Sequence, residues 1–314
     1  MVITEFDGNC SIDIKPILSD ALSKEMETKN TYIGTIIDKK ETKNLMALFK
    51  DKYPLDNSLH HLKRVGGSKS KGILDFIICR EDDPQKEEIF RNENVLKYLK
   101  DIRMSKVPAF CPLTRKQFQQ SMEYWPCTFH ENKQIKELVE GRNLTNEKRK
   151  QIAKYFAILN KYEDSDNCCF CLVVNPKTES ILAMASDCSH LGDPLQHSIM
   201  VAIDMIAWLQ GGGVYKNLTY IKSDDIEGAV MISKASTSKP SEGLQSMEGY
   251  LCTDFEVYTN TEPCVMCSMA LLHSRVSKVF FSTKNPHSGG LSSVFRLHTV
   301  EGLNHHFEAY CVDC

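Results

Sequence analysis

The chain has 314 residues, 42% of them hydrophobic and 25% charged, which suits a globular protein large enough for two domains. Its formal net charge of −3 excludes nucleic-acid binding through bulk basicity, so any such contact has to come from local patches. No apolar run approaches the ~18 residues of a membrane helix. Met1 to Pro16 also lacks the apolar core of a secretion leader, so a nuclear or cytoplasmic protein, not a secreted one, is expected.

The first 30 residues show little periodicity and read as an extension. From Thr31 to Val107 the pattern predicts a small α+β domain. "TYIGTIID" is its first strand and Lys40 to Lys52 a helix. "HLKRV" and "GILDFIICR" are two further strands across a Gly/Ser turn, and Gln85 to Lys100 is a charged helix. Residues 108–144 are rich in Pro and aromatics, with "WPCTFH" among them, and read as a linker. A second domain over 145–314 opens on a helix from Asn146 to Tyr162, with Thr145 as its N-cap. "CFCLVVNPKTESILAMASD" is a hairpin, and an apolar helix follows from His197 to the glycines at 211–213. Residues 214–249 read as a surface loop insert; "YLCTDFEVYTN" and "KVFFS" are strands on either side of a helix from Cys264 to Arg275.

Thirteen cysteines without an export signal read as thiols in a reducing compartment, with room for one metal site. Cys79, Cys168, Cys169 and Cys171 fall in apolar strand-like stretches and read as core packing. Cys264 and Cys267 differ, because they open a helix directly after a strand, where the helix dipole favours thiolates. His197 opens another helix, so two helix starts can offer one nitrogen and two sulfurs to a tetrahedral ion with its fourth position open.

Zinc deaminases carry this pattern as His-x-Glu followed by Pro-Cys-x-x-Cys, the glutamate moving protons without binding the metal. Here Ile199 stands in place of that glutamate. An alkyl group neither removes a proton from a metal-bound water nor delivers one to a leaving amine, and loss of such a group costs about 10²–10⁴ in rate. Glu262 is the nearest carboxylate in sequence, and its place before Pro263 suggests local hydrogen bonding. Glu248, Glu256 and Glu301 have no spacing that brings them to the metal.

"PLQHSIMVAID", "YLCTDFEVYTNTEPCVMCSMALLHSRVSKVFF" and "GLNHHFEAY" resemble the non-catalytic subunits of the eukaryotic tRNA adenosine deaminases, and "HLKRV" and "WPCTFH" resemble their N-terminal region. That family has an aliphatic residue, usually valine, where its catalytic partner has glutamate. The resemblance implies a cytidine-deaminase-like α/β domain, three layers α/β/α around a mixed sheet, with Zn²⁺ on His197, Cys264 and Cys267. It implies no catalytic residue in this chain and a catalytic deaminase subunit as heterodimer partner. The reaction is conversion of the wobble adenosine of tRNA anticodons to inosine, with the N-terminal domain helping to capture tRNA.

Lys63, Arg64, Lys69 and Lys71 form one basic cluster, and Arg142, Lys148, Arg149 and Lys150 form another; RNA phosphates or plain solvent suit both, and the resemblance favours RNA. The acidic run from Glu81 to Glu93 suits RNA poorly. Met269 to His273 is apolar enough for core or partner contact. Cys311 and Cys314 end the chain, either as exposed thiols or as a tail that fills the open metal position. Two other readings stay open: a self-sufficient nucleoside or RNA deaminase with an unidentified carboxylate, and a zinc-stabilised interaction protein without an RNA role.

Overall fold

In the computed structural model, which describes residues 12–67, 73–162, 169–223, 226, 229–232 and 249–313, the run Phe76-Ile77-Ile78 is covered on both sides. Phe76 and Ile78 join a cluster with Leu45, Phe49 and Val95, while Ile77 joins another with Ile33, Leu59 and Trp125. A strand covered on both faces has to be apolar throughout. The chain reaches this strand through β1 (Asp13–Pro16), α1 (Asp20–Ser23), β2 (Thr28–Ile36), α2 (Thr42–Lys52) and β3 (Val65–Gly66). The strand itself is β4 (Asp75–Arg80), and α3 (Lys86–Arg91), α4 (Glu93–Leu96), β5 (Leu99–Pro108), α5 (Arg115–Tyr124) and α6 (Lys133–Val139) follow. β2 to β5 make an antiparallel sheet of order β3-β4-β2-β5.

Three sequence expectations change in this unit. The helix expected over 85–100 breaks at Asn92, whose side chain accepts from the Asn94 N–H at 3.0 Å and starts a new helix. Beyond it the chain turns into β5, an edge strand with half of its residues exposed, so it carries little apolar alternation to read. The stretch read as a linker from residue 108 is folded into the unit instead, and the division falls between Glu140 and Gly141. Trp125 is buried, and its indole N–H donates to the Lys63 carbonyl at 2.6 Å. A Cβ on Gly66 would stand 2.8 Å from that ring, so the contact requires glycine.

The other unit joins the described residues of the N-terminal segment, 12–19, to the described residues from Gly141 onward. Its elements after β1 are α7 (Asn146–Tyr162), β6 (Phe170–Asn175), β7 (Ser180–Ser186), α8 (Ser198–Leu209), β8 (Tyr220–Lys222), β9 (Val230–Ile232), β10 (Glu256–Thr261), α9 (Val265–His273), β11 (Lys278–Thr283) and β12 (Glu308–Asp313). They form a mixed eight-stranded sheet of order β1-β12-β11-β10-β6-β7-β9-β8, with β10, β11 and β12 parallel to one another. Strand residues alternate between its faces. Cys171, Val173, Phe281 and Cys311 face the cluster shared with α8 and α9, while Phe170, Leu172, Phe280 and Tyr310 face the cluster under α7. Tyr258, Phe280 and Tyr310 lie opposite one another on adjacent strands and stack at 4.8 and 5.0 Å between ring centres.

This is the three-layer α/β/α architecture expected for the second domain. Two of its parts were not legible. β1 comes from the presumed extension and pairs with the C-terminal strand β12, so both chain ends share one sheet edge. The presumed loop over 214–249 contributes β8 and β9 beside β7; residues 233–248 lie outside the described ones.

Candidate metal centre

His197 and Cys264 hold equivalent places at the starts of two helices. Each is an N-cap with extended backbone, at φ −64°, ψ 153° and φ −66°, ψ 170°. Cys267 lies in the first turn of α9, and both helices pack on one face of the sheet through Ala202, Met205, Ile206, Leu271 and Leu272. His197 Nδ1 lies 3.6 Å from the sulfur of Cys264 and 3.6 Å from that of Cys267. Zinc bonds of about 2.3 Å to sulfur and about 2.0 Å to nitrogen, set tetrahedrally, put N and S about 3.5 Å apart, so the donors fit zinc. Among the described residues no other group of three or more His, Cys, Asp and Glu side chains gathers this closely.

The electrostatics favour a thiolate at one of the two cysteines. The Cys267 side chain hydrogen-bonds to Cys264 and, with the Cys267 N–H and His197, holds the Cys264 thiol down to about 5 against the effect of burial. Cys267, as the donor and the more buried of the two, is pushed up. Two helix starts aimed at the same sulfurs add positive potential.

The position two residues after His197, where deamination needs a general acid or base, holds an alkyl side chain. Ile199 is 3% exposed and packs in the apolar cluster that contains Cys267, Val201 and Ala202. Glu262 is also buried, with a carboxylate that accepts from the backbone N–H groups of Asn285, Leu291, Ser292 and Ser293, so local hydrogen bonding is its role. Burial opposes ionisation of Glu262, but these bonds and the Ser293 hydroxyl outweigh it and hold the carboxyl below its usual range. The glutamate at 256 is buried under α7, bonded to Lys148 and to the Tyr258 hydroxyl at 2.7 Å. Cys311 lies in β12, its thiol directed to the Ser282 carbonyl at 3.8 Å, and is not part of the donor cluster. That sets aside a metal-plugging tail acting through Cys311; Cys314 lies outside the described residues.

The basic candidates divide by packing. Arg64 lies over the rings of Phe49 and Phe76 at 4.7 and 5.2 Å and donates to the carbonyls of Tyr53, Ile77 and Ile78. Burial lowers its guanidinium to about 10, the opposite of an RNA-facing cation. Lys148 pairs with Glu256, and Arg149 donates to the Gly141 carbonyl. These three, read from the sequence as candidates for RNA contact, have donors taken up inside their own units. Lys63, Arg142 and Lys150 are exposed, while Lys69 and Lys71 lie outside the described residues. Met269 and Ala270 are half-buried, whereas Leu271 and Leu272 belong to the core.

One supporting pair has no signature in the sequence. Gln196 is fully buried next to His197 and exchanges two amide hydrogen bonds with Asn217, at 2.8 and 3.2 Å. Asn217 comes from the presumed loop, so nothing before folding linked the two.

Known proteins carry the same parts in the same order. The family described as the tRNA-specific adenosine deaminase TAD3 N-terminal domain matches residues 30–125, and the cytidine and deoxycytidylate deaminase zinc-binding region matches residues 133–283. A Danio rerio protein named "Probable inactive tRNA-specific adenosine deaminase-like protein 3" is 32% identical over 95% of this chain and 90% of its own. The Homo sapiens protein of the same name is 30% identical over 94% and 88%. The Schizosaccharomyces pombe "tRNA-specific adenosine deaminase subunit tad3" is 28% identical over 94% and 88%. Sustained through both units, this likeness is one of family, and the chain belongs to the TAD3 family of tRNA-specific adenosine deaminase proteins.

Proposed function

We propose that this chain is the non-catalytic subunit of a heterodimer that converts the wobble adenosine of tRNA anticodons to inosine. One observation carries the reading: three zinc donors gather at two helix starts, and two residues after the histidine the proton-moving carboxylate is replaced by the buried alkyl group of Ile199. The carboxylates that sequence brings nearest are committed elsewhere, Glu262 to a loop and Glu256 to Lys148. The partner therefore supplies the glutamate.

His197, Cys264 and Cys267 hold the metal, and zinc bound there cross-links the starts of α8 and α9. The loop before His197 exposes Leu191 and Leu195, and the loop held by Glu262 exposes Val294 and Phe295. Apolar side chains of this size on loops next to the metal ligands suit a second deaminase chain. Lys63, Arg142 and Lys150 supply exposed charge for tRNA phosphates, and a tRNA substrate puts the protein in the nucleus or cytoplasm.

The test is inosine formation on tRNA by the chain alone, by the catalytic subunit alone and by the two together. Only the pair should turn over. Inosine from the single purified chain would support the self-sufficient reading and overturn this one.

A further inference from the structure

The turn that leads into Cys264 carries a carboxylate that deamination does not use. Glu262 is 2% exposed, and a carboxylate so deeply buried is costly unless its oxygens are hydrogen-bonded. Oε1 accepts from the N–H groups of Leu291, Ser292 and Ser293 at 3.2, 2.6 and 2.9 Å. Oε2 accepts from the Asn285 N–H at 3.0 Å and from the Ser293 hydroxyl. The loop from Asn285 to Ser293 is thus wrapped around one buried anion.

The loop can close only because it has no side chain at two points. A Cβ on Gly289 would stand 2.4 Å from the Glu262 carboxyl carbon, and one on Gly290 would stand 2.4 Å from Ser268 Oγ. Closed, the loop grips the backbone of a metal ligand. Cys264 and Gly289 form an antiparallel bridge, the Val265 N–H donates to the Ser288 carbonyl at 3.1 Å, and the Gly290 N–H donates to the Pro263 carbonyl at 2.8 Å. Cys264 precedes the first turn of α9 in extended conformation, so these bonds set the direction of its sulfur.

We propose that Glu262 is a positioning residue of the metal centre. It anchors the loop over 285–293, and through that loop it fixes the backbone on which Cys264 presents its thiolate. The inference rests on the reading of His197, Cys264 and Cys267 as zinc ligands. All five groups around the carboxylate are donors, so only an acceptor with two oxygens satisfies them. Glutamine has the same shape but, whichever way it lies, turns its NH₂ toward a backbone N–H that can only donate, which makes Glu262→Gln the sharp variant.

The experiment measures zinc release from the zinc-loaded full-length chain to a chromogenic chelator. Glu262→Gln is compared with wild type and with Ile152→Ala, a core variant in α7 on the opposite face of the sheet. Partners of metal ligands typically contribute about 10- to 100-fold in metal affinity, so Glu262→Gln should release zinc about tenfold faster or more. Its cobalt-substituted form should show a shifted thiolate-to-cobalt absorption band. Ile152→Ala should lose thermal stability yet keep the wild-type release rate and band. Ser293→Ala removes one donor and should give a smaller effect in the same direction, which keeps the test open if Glu262→Gln does not accumulate. Equal release rates and bands for Glu262→Gln and Ile152→Ala would overturn this inference alone. A wild-type chain that retains no zinc would overturn the metal reading as well.

Discussion

Ile199 and Glu262 show how two side chains near one metal site come to opposite roles. Ile199 sits in the first turn of α8 among apolar neighbours, and only its volume matters to them. Replacing it by valine, the residue usual in the family it resembles, should cost about 0.5–1.5 kcal/mol in chemical denaturation and leave partner-supported inosine formation intact. Ile199→Glu should cost about 3–5 kcal/mol, because an unpaired carboxylate would be buried there. Equal stability of the two variants would show that the site is roomier than the structure has it. Glu262 is the converse, a charge retained in the interior because five donors converge on it. The missing acid was legible from spacing alone, since a helix start fixes which residue follows the histidine by two. The donors around Glu262 were not, since they come from 23 to 31 residues further along the chain.

At the level of elements, α7 separates two lysines that look alike in sequence. Lys148 reaches inward to Glu256, which is 2% exposed, while Lys150 faces solvent. Lys148→Ala should destabilise the protein by about 3–5 kcal/mol, because it leaves a buried carboxylate unpaired, as a denaturant midpoint would show. Lys150→Ala should leave stability within about 0.5 kcal/mol and weaken binding of the heterodimer to tRNA, with a shallower dependence on salt. If Lys150→Ala binds tRNA at every salt concentration as wild type does, α7 does not face RNA. The three-strand stack of Tyr258, Phe280 and Tyr310 lies beneath the same helix. The bounds of α7 followed from its cap and period, but which lysine turned inward depended on Glu256 lying under the helix.

For the molecule as a whole, the pairing of β1 with the C-terminal strand of the unit that carries the candidate metal centre has a direct consequence. β1 pairs with β12 from Asp13↔Asp313 to Pro16↔Tyr310, and Ile14 is buried in the cluster under α7. Ile14→Ala should cost about 2–5 kcal/mol, even though Ile14 lies far in sequence from the helix and strands that share its cluster. An unchanged melting temperature would mean that β1 is dispensable. The sequence by itself determined the local features: helices with caps and period, apolar strands, three metal donors at helix starts and the isoleucine beside them. Each of these depends on residues within a few positions of one another, where periodicity and spacing carry the information. Only the tertiary structure decided that residues 108–140 pack into the first unit, that β1, β8 and β9 extend the second sheet, and that the half-buried Arg64 spends its donors on the unit's own carbonyls. Those outcomes depend on long-range partners such as Trp125 for Gly66 or Tyr310 for Pro16, and a pairing across the fold leaves no periodic trace in either stretch.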